Sequence, residues 1–212
     1  MANEIMKKKF TVGAVIQFGG YDWRVLEIQN DKVLILSDKI IEERAYHGEY
    51  VDITWEQCDL REHLNSTFFN SFSAKDKVRI AETRIQNPNN QWYGTEGDSD
   101  TTDKIFLLSL EEVDKYFGDN GDYREKMRKD YEGYWPDGKW ITVDDGCEFS
   151  NASDSDRIAK DNDGKASWWW LRSPGINYSA AADVGNVGYV NVNGSHVASA
   201  GGGIRAALWI NF

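Results

Sequence analysis

The side chains that could catalyse a reaction are few and scattered along this 212-residue chain. Its three histidines, His47, His63 and His196, lie far apart, and His63 falls within a predicted helix. The chain has no His-Glu-x-x-His motif, no Gly-x-Ser-x-Gly motif and no phosphate-binding loop. Because no nucleophile, base and metal site can be assembled from these residues, we predict that the protein is not an enzyme.

Metal and thiol chemistry receive equally little support. Cys58 and Cys147 are too few for a disulfide framework or a cysteine-based zinc site, and whether they pair is open. Residues 154–156 (Asp-Ser-Asp) and 161–164 (Asp-Asn-Asp-Gly) are similar to parts of calcium loops, but no glutamate follows at EF-hand spacing. Because Asp-Asn-Asp-Gly is also a common turn, we predict no metal and no cofactor.

Charge and composition narrow the class of partner. A net charge of −11 argues against nucleic acid and against an anionic membrane, since both would repel the chain. A hydrophobic share of 41% with nine tryptophans is typical of a folded globular protein. The sequence shows no signal peptide and no apolar run long enough to cross a bilayer, so we predict no membrane insertion and a protein that is cytoplasmic as synthesised.

Residues 176–202 differ in composition from the blocks on either side. This segment contains only Ile, Asn, Tyr, Ser, Ala, Asp, Val, Gly and His. It has no Lys, Glu, Gln, Met or Trp, which are residue types that no codon ending in a pyrimidine encodes. Tyr, Ser, Gly and Asn are the residues that antibody-like binding surfaces favour. The pattern indicates a binding surface whose identity varies, although a polar, glycine-rich hairpin would also lack long charged residues.

Two sets of residues follow from this contrast. The predicted ligand-contacting set is Ile176, Asn177, Tyr178, Ser179, Asp183, Asn186, Val187, Tyr189, Asn191, Asn193, Ser195, His196 and Ser199. The predicted scaffold set is Trp170, Arg172, Gly188, Gly194, Arg205 and Trp209, in which the two arginines satisfy buried acceptors or carboxylates. Within the segment, we expect Val184, Val190 and Val197 to point inward.

The elements that must position these residues can be predicted from periodicity and turn residues. Residues 14–18, 21–28 and 32–37 form a β-meander. Thr54 and Gln57 predict a capping box ahead of a helix whose buried stripe is Leu60, Leu64 and Phe68. Further helix starts are predicted at Ser73 with Asp76 and at Ser109 with Glu112.

The second half of the chain is predicted to contain a long loop followed by strands. Residues 105–108 read as a short buried strand, and residues 118–165 as a loop rich in Asp, Asn, Gly and Ser. Strands are then predicted over residues 188–192, 196–198 and 204–210, and the rings of residues 168–170 should alternate between two faces. The predicted fold class is α+β with mainly antiparallel strands, a few short helices and long loops.

The blocks around the segment are similar to those of a known family. The chain contains Trp170-Leu171-Arg172-Ser173-Pro174-Gly175, then Val184, Gly188, Val190, Gly194 and Val197, then Gly203-Ile204-Arg205-Ala206-Ala207-Leu208. Upstream matches are residues 55–61 (WEQCDLR) with Leu64, Asn65 and Phe68, and residues 103–109 (DKIFLLS). Together these blocks resemble variable proteins of diversity-generating retroelements, in the formylglycine-generating-enzyme-like branch of the C-type lectin fold. One departure is Ala206, where the family pattern has proline.

The resemblance implies a mode of diversification and a layout of the chain. In that family a reverse transcriptase copies a template repeat, miscopies adenines, and the product replaces the 3′ end of the gene. The implied layout is a leader at 1–10 and one C-type-lectin-like domain at 11–212, with 176–202 as the variable ligand-binding segment. The implied function is non-covalent recognition of an unknown protein or glycan, by a bacterial or phage protein that is part of a phage particle or displayed through another protein. The alternatives are a non-diversified carbohydrate-binding lectin-like module and an enzyme of the formylglycine-generating type.

Overall fold

A computed structural model describes residues 10–118, 148–149 and 154–212 of the chain. Most of the predicted leader, Cys147 and most of the predicted long loop lie outside the described residues. The described strands, in chain order, are β1 (Val15–Phe18), β2 (Tyr21–Ile28), β3 (Lys32–Ser37), β4 (Thr83–Ile85), β5 (Thr101–Asp103), β6 (Glu148–Phe149), β7 (Ala159–Lys160), β8 (Ala166–Ser167), β9 (Trp169–Pro174), β10 (Ala180–Val184), β11 (Val190–His196) and β12 (Ala207–Asn211).

The helices are short and lie mostly between β3 and β6. They are α1 (Asp59–His63), α2 (Phe69–Ser71), α3 (Ala74–Lys77), α4 (Leu110–Phe117) and α5 (Asp154–Arg157). A 3-10 turn (Trp55–Gln57) precedes α1, and a π-helical stretch (Leu64–Phe68) joins α1 to α2. All named strand pairs are antiparallel. The prediction of a mixed α and β fold with mainly antiparallel strands and few short helices is therefore confirmed.

The first sheet joins the two ends of the described chain. Its strand order is β1-β2-β3-β12, so the predicted meander is confirmed and the last strand adds to its open edge. In β3, every residue from Val33 to Ser37 is buried, because both faces of this central strand are covered. Leu34 pairs with Trp209 and Leu36 pairs with Ala207, which places these four side chains on one face.

The predicted capping box at Thr54 is wrong. The Thr54 side chain caps nothing, and the 3-10 turn that follows it is held by Trp55, whose buried indole donates to Asp103 Oδ2 at 3.0 Å. Helix α1 begins instead after Cys58, whose Sγ accepts from the Arg61 amide at 3.4 Å. Burial of a tryptophan here outweighs a local capping preference. The predicted stripe of Leu60, Leu64 and Phe68 is buried.

The other two predicted helix starts are confirmed. Ser73 Oγ accepts from the Asp76 amide at 3.2 Å at the start of α3. At α4, Ser109 Oγ accepts from the Glu112 amide at 3.1 Å, and Glu112 Oε2 accepts from the Ser109 amide at 2.9 Å. This reciprocal pair satisfies two of the amides that a helix start leaves without partners.

Two predicted strands are absent from the described residues as separate elements. Residues 105–108 are buried but make only one bridge, between Phe106 and Ala207. The same edge of β12 is also occupied by Ile80, which bridges to Ile210, so neither segment can pair along its full length. Residues 196–198 do not form a strand of their own, since His196 is the last residue of β11.

The second sheet holds the segment that the sequence singled out. Its order is β6-β11-β10-β9, so β10 is an inner strand flanked by β11 and β9. The rings of Trp168 and Trp170 contact each other, with centroids 4.7 Å apart, while Trp169 faces the other side and donates to Arg157 O at 3.0 Å. The predicted alternation is confirmed. No helix among the described residues is long and apolar enough to cross a membrane.

Candidate ligand-binding surface

The middle of the segment is packed scaffold. Every residue of β10, from Ala180 to Val184, is buried between its two neighbouring strands. Val190, Val192 and Val197 are fully buried as well. The expectation that Val184, Val190 and Val197 point inward is confirmed. Because an inner strand can expose neither edge and here exposes no face, the side chains of the segment that reach solvent lie in the loops and on one face of β11.

Gly188 and Gly194 hold backbone positions that other residues resist. Their φ angles are +94° and +81°, in the left-handed region that favours glycine. A Cβ at Gly188 would also overlap the carbonyl of Asp154, and one at Gly194 would overlap the carbonyl of Ala181. Both glycines therefore fix the ends of the β10–β11 hairpin by conformation and by close packing.

Arg172 performs the role predicted for it. It is 3% exposed and donates to the carbonyl of Leu107 at 2.6 Å, to the carbonyl of Gln86 at 2.8 Å and to the Glu112 carboxylate. These contacts tie β9 to the start of α4 and to the strand that ends at Ile85. Trp170 is fully buried and donates to Arg44 O at 2.9 Å.

Arg205 is buried by a different set of contacts. Its Nε donates to Ser37 O at 2.9 Å, and its guanidinium stacks near the rings of Trp169 and Phe117. Burial lowers the pKa of Arg205 to about 10, and the nearby Arg24 acts in the same direction. Trp209 is 7% exposed and packs beneath Lys32, whose Nζ lies 4.6 Å from the ring centroid. Both residues lie where the scaffold prediction places them.

Apart from Ala200 and Gly201, the exposed residues of the segment form two separate patches. The first, which we call the tyrosine patch, combines Asn177, Tyr178 and His196 with Tyr50 and Val51 from the loop before α1. Tyr178 is 36% exposed, Tyr50 is 62% exposed and Val51 is 39% exposed. The Tyr50 and His196 rings meet edge to face, with centroids 4.8 Å apart.

Backbone contacts fix the loop of Tyr50 against the segment. The amide of His47 donates to Val197 O at 2.9 Å, and the amide of Ile53 donates to Tyr178 O at 2.9 Å. The two ends of the 47–53 loop are thereby held by residue 178, which precedes β10, and by residue 197, which follows β11. Tyr50 thus has a defined place beside the segment. The Ser179 hydroxyl donates a hydrogen bond to the Tyr50 hydroxyl at 3.4 Å, although the two residues are 129 positions apart in the sequence.

The second patch, which we call the turn patch, lies at the other end of the hairpin. It consists of Asn186 and Val187, of which Val187 is 60% exposed. Ala180 pairs with His196 at one end of the strands and Val184 with Val190 at the other. At the ordinary rise of a strand, the patches are about 14 Å apart along the hairpin.

Six further residues that were predicted to contact ligand are partly buried. They are Ile176, Tyr189, Asn191, Asn193, Ser195 and Ser199. Asn191 is held in place, because its amide donates to Asp183 Oδ2 at 3.0 Å and its Oδ1 accepts from the Gly194 amide at 3.0 Å. Asn191, Asn193 and Ser195 offer a partial polar surface along β11, between the two patches.

Two residues predicted to contact ligand are buried instead. Asp183 is 2% exposed, on the inner strand β10, and accepts the hydrogen bond from Asn191. Ser179 is 8% exposed, and its amide and hydroxyl both donate to Asn177 Oδ1. The prediction that these two side chains are displayed is wrong, because both are buried and their polar atoms bond to neighbouring residues of the chain.

Three contributors were missed by sequence reasoning. Tyr50 lies in an acidic loop without periodicity, so its sequence gave no sign of the contact with His196. Asn90 is fully buried and its Nδ2 donates to Pro174 O at 2.9 Å and Val192 O at 2.8 Å. Arg157 is fully buried and donates to Gly188 O at 2.7 Å, where the sequence suggested only a polar turn.

Among the described residues, His47 contacts Asp59 and His63 contacts Glu42, and Cys147 lies outside them. Cys58 is buried, and burial raises the pKa of its thiol to about 12 against the opposing hydrogen bonds from Arg61 and Tyr46. A thiol with such a pKa is protonated at neutral pH and is a poor nucleophile. Among the described residues, no group of three or more His, Cys, Asp and Glu side chains could hold a metal ion.

The comparisons with known proteins identify a family. Residues 30–212 match the model of DUF6273, a domain of unknown function, and the chain belongs to this family. The matched range includes every described strand except β1 and β2. No curated protein and no solved structure matches the chain.

Proposed function

We propose that this protein is a ligand-binding variable protein, diversified by a retroelement, with a C-type-lectin-like domain as its scaffold. The variable surface consists of the tyrosine patch, the turn patch and the exposed face of β11. Recognition is non-covalent, with tyrosines as anchors and Asn and Ser as adaptable hydrogen-bonding contacts. The antiparallel sheets, short helices and buried framework residues support a scaffold of this kind, and the resemblance of the blocks around the segment supports the family.

One observation carries the proposal: burial divides the residue types of the segment. Its buried residues are Ala, Val and Gly, apart from Ser179 and Asp183, whereas Asn, Tyr, Ser, His and Ile predominate among the rest. Codons for Ala, Val and Gly contain no adenine in their first two positions, whereas those for Asn, Tyr, His and Ile do. Adenine-directed miscopying would therefore change the displayed positions and spare most of the packed ones.

The charge of the tyrosine patch supports a partner with basic residues. Residues 45–60 and 176–202 contain no lysine or arginine, while Glu49 and Asp52 are exposed beside Tyr50. Opposite charges across an interface steer association and exclude wrong partners more than they add affinity. We expect weaker binding as salt is raised, which a titration of affinity against ionic strength would measure.

The coding DNA provides the sharpest test. We expect an imperfect repeat of the codons for residues 176–202 near the gene, differing mainly at adenines, together with a reverse-transcriptase gene. If neither element lies nearby, the diversification proposal fails. A fixed surface that recognises one glycan in every close relative would favour the lectin-like alternative instead.

A display experiment tests binding independently of the DNA. Randomising Tyr178, Asn186, Val187 and His196 should yield folded variants that bind different purified target proteins. Randomising four buried positions, Ala181, Ala182, Val184 and Val190, is the matched control and should yield mostly unfolded chains. If the first library gave no more folded members than the second, these positions would not be a display surface.

A further inference from the structure

A small recess lies at the end of β3, and no residue of the tyrosine patch or the turn patch lines it. Its volume is about 130 Å³, and we call it the Ser37 recess. Its polar lining residues are Tyr21, Asp22, Ser37, Lys39 and Asn162. Sites for drug-sized ligands have volumes of about 300–1,000 Å³, so this recess suits an ion or another very small ligand.

Ser37 contributes a buried hydroxyl that has no partner. Its backbone amide donates to Ala206 O at 2.8 Å, and its carbonyl accepts from Arg205 Nε at 2.9 Å. Ser37 is 1% exposed, and its Oγ makes no hydrogen bond among the described residues. Because both backbone groups are occupied, the hydroxyl is the polar atom of Ser37 that is left to bond a ligand in the recess.

Arg205 places a buried positive charge directly behind Ser37. It is 1% exposed, it forms no ion pair among the described residues, and its Nη1 has no hydrogen-bond partner there. Asp38 acts on Arg205 electrostatically but is itself paired with Arg24, whose Nη2 lies 3.0 Å from Asp38 Oδ1. Burial lowers the pKa of Arg205 only to about 10, so the guanidinium is charged at neutral pH. This buried charge therefore makes the potential at the neighbouring wall more positive.

The lining itself adds one cation and one carboxylate. Lys39 is exposed and forms no ion pair with any described residue. Asp22 Oδ1 accepts from the side-chain amide of Gln17, its neighbour across β1 and β2. With Arg205 behind the wall, and with Arg24 and Asp38 neutralising each other, positive charge is in excess around the recess. This excess stands out in a chain whose net charge is −11.

A turn between β7 and β8 supplies a further side-chain amide, that of Asn162. The turn is fixed, because Asp161 Oδ1 accepts from the Lys165 amide at 2.9 Å. The hairpin is held beside β3 by the Ile40 amide, which donates to Lys160 O at 2.9 Å. Residues 159–166 contain two lysines and two aspartates, so the hairpin offers a donor to the recess without adding net charge.

We propose that the Ser37 recess binds a free inorganic oxyanion of the phosphate or sulfate class. Such an ion offers several acceptor oxygens to the Ser37 hydroxyl, the Asn162 amide and the Lys39 ammonium. Its charge compensates the positive charge of Arg205, which has no carboxylate of its own. The bound ion would also join the end of β3 to the β7–β8 turn.

Isothermal titration calorimetry of the full chain with inorganic phosphate tests the proposal, with sodium chloride keeping the ionic strength constant. We expect one saturable site and competition by sulfate. O-Phosphoserine carries the same group on a larger body and should bind more weakly, because the recess is small. If the recess holds only water, phosphate will give no saturable heat. That result, or tighter binding of O-phosphoserine, overturns the proposal.

Charge variants locate the ion and test its sign. Lys39→Gln should weaken phosphate binding about tenfold, since a charge-assisted hydrogen bond is lost. Lys75→Gln, which changes an exposed lysine on α3, is the matched control and should bind like the parent. Asp22→Asn removes the opposing carboxylate and should tighten binding about threefold. Equal affinities in the two lysine variants, or weaker binding in Asp22→Asn, would contradict an anion in this recess.

Ser37→Ala separates binding from general salt effects. Without phosphate, this variant should melt no lower than the parent, because it removes a buried hydroxyl that bonds to no described residue. Added phosphate stabilises many proteins by exclusion from their surface, so both proteins should gain some melting temperature. The parent should gain more, since it alone retains the full site. Equal gains in the two proteins would show that phosphate acts only as a general stabiliser and would overturn the proposal.

Discussion

At the residue scale, Arg172 shows how this fold supports a buried charge. Its guanidinium donates to the carbonyls of Leu107 and Gln86, to Asn87 Oδ1 and to the Glu112 carboxylate, all of which are distant in sequence. Removing one member of a buried ion pair is costly because the other charge is left without compensation. The position of this one side chain therefore couples β9, α4 and the end of β4.

Replacing Arg172 with methionine should destabilise the protein by about 3–5 kcal/mol, since the Glu112 carboxylate and the carbonyls of Leu107 and Gln86 lose their donor. Denaturant unfolding followed by tryptophan fluorescence would measure the change. Arg84→Met is the matched control: Arg84 also pairs with a carboxylate, but its side chain is 78% exposed, and the loss should be below about 1 kcal/mol. Equal losses in the two variants would contradict the role given to Arg172.

Glu27 predicts a pH dependence of stability at acid pH. Its partial burial alone would raise the pKa, but hydrogen bonds from Gln29, Lys115 and Tyr116 outweigh burial and lower the pKa from 4.5 to about 2. A carboxyl whose folded pKa is lowered stabilises the fold above its unfolded pKa, and this contribution is lost as the pH falls from about 4.5 towards 2. Melting temperatures of Glu27→Gln should therefore fall less than those of the parent over this interval. The exposed Glu62→Gln should behave like the parent, and a parallel fall in all three proteins would contradict the assignment.

The residue roles that the sequence predicted correctly are those with a strong local signature. Arg172 and Arg205 lie in apolar stretches of sequence, where a charged side chain must find buried partners. Arg157 follows Asp-Ser-Asp, which resembles a solvated turn, and Tyr50 lies in a polar loop. Their contacts join residues more than thirty positions apart, and no local pattern in a single sequence encodes such contacts.

At the element scale, the β10–β11 hairpin is held by glycines and filled by small residues. Gly188 combines a positive φ with a close approach to Asp154. Gly20 in the β1–β2 turn has a similar φ of +89°, but a Cβ there would meet nothing within 4 Å. Comparing Gly188 with Gly20 therefore separates the destabilisation caused by backbone strain from that caused by steric overlap.

Gly188→Ala should cost more than about 2 kcal/mol, because the new methyl meets the Asp154 carbonyl in addition to the strain of a positive φ. Gly20→Ala should cost about 1 kcal/mol, from backbone strain alone. Thermal unfolding of both variants would measure the difference. Similar losses of unfolding free energy in the two variants would show that the hairpin can shift away from α5 with little loss of stability.

Replacing Tyr178, Asn186, Val187 and His196 together with serine should change stability by less than about 1 kcal/mol, since exposed side chains contribute little to folding. The melting temperature should accordingly move by at most about 3 °C for a domain of this size. Leu208→Ala, a fully buried control, should cost about 2–5 kcal/mol. A large loss from the exposed set would identify these residues as structural and contradict a displayed surface.

The elements were predicted where periodicity and capping agree, and missed where burial of a large side chain decided the outcome. The meander and the α4 capping box follow from local sequence. The start of α1 does not, because Trp55 is anchored by Asp103, 48 residues further along the chain. The split of the segment into two patches also depends on register, which places Asn186 and Val187 at the opposite end from His196.

At the scale of the whole molecule, the first sheet is completed only by the end of the chain. β12 pairs with β3 through five residues, from Ala207 opposite Leu36 to Asn211 opposite Lys32. Contacts between such distant parts of a chain close a large loop, and they form late and cooperatively in folding. The meander alone leaves the edge of β3 open and its apolar face uncovered.

Truncation after Ala206 should therefore abolish cooperative unfolding, because β3 loses its partner and the core loses Leu208 and Ile210, which are 0% and 1% exposed. Near-ultraviolet circular dichroism of the buried tryptophans would measure the loss of fixed packing. Asn211→Ala, an exposed change in the same strand, should keep a cooperative transition. A cooperative transition in the truncated chain would show that the remaining strands form a core without β12.

The order of elements along the gene gives β12 a second consequence. The codons for β12 follow those for residues 176–202, so a frameshift or premature stop within the segment removes the strand that closes the first sheet. Chains that carry such an error cannot fold and are exposed to proteolysis. If the codons of the segment are diversified as proposed, folding selects for an intact reading frame. Only chains that are translated in frame through β12 fold and present the new surface.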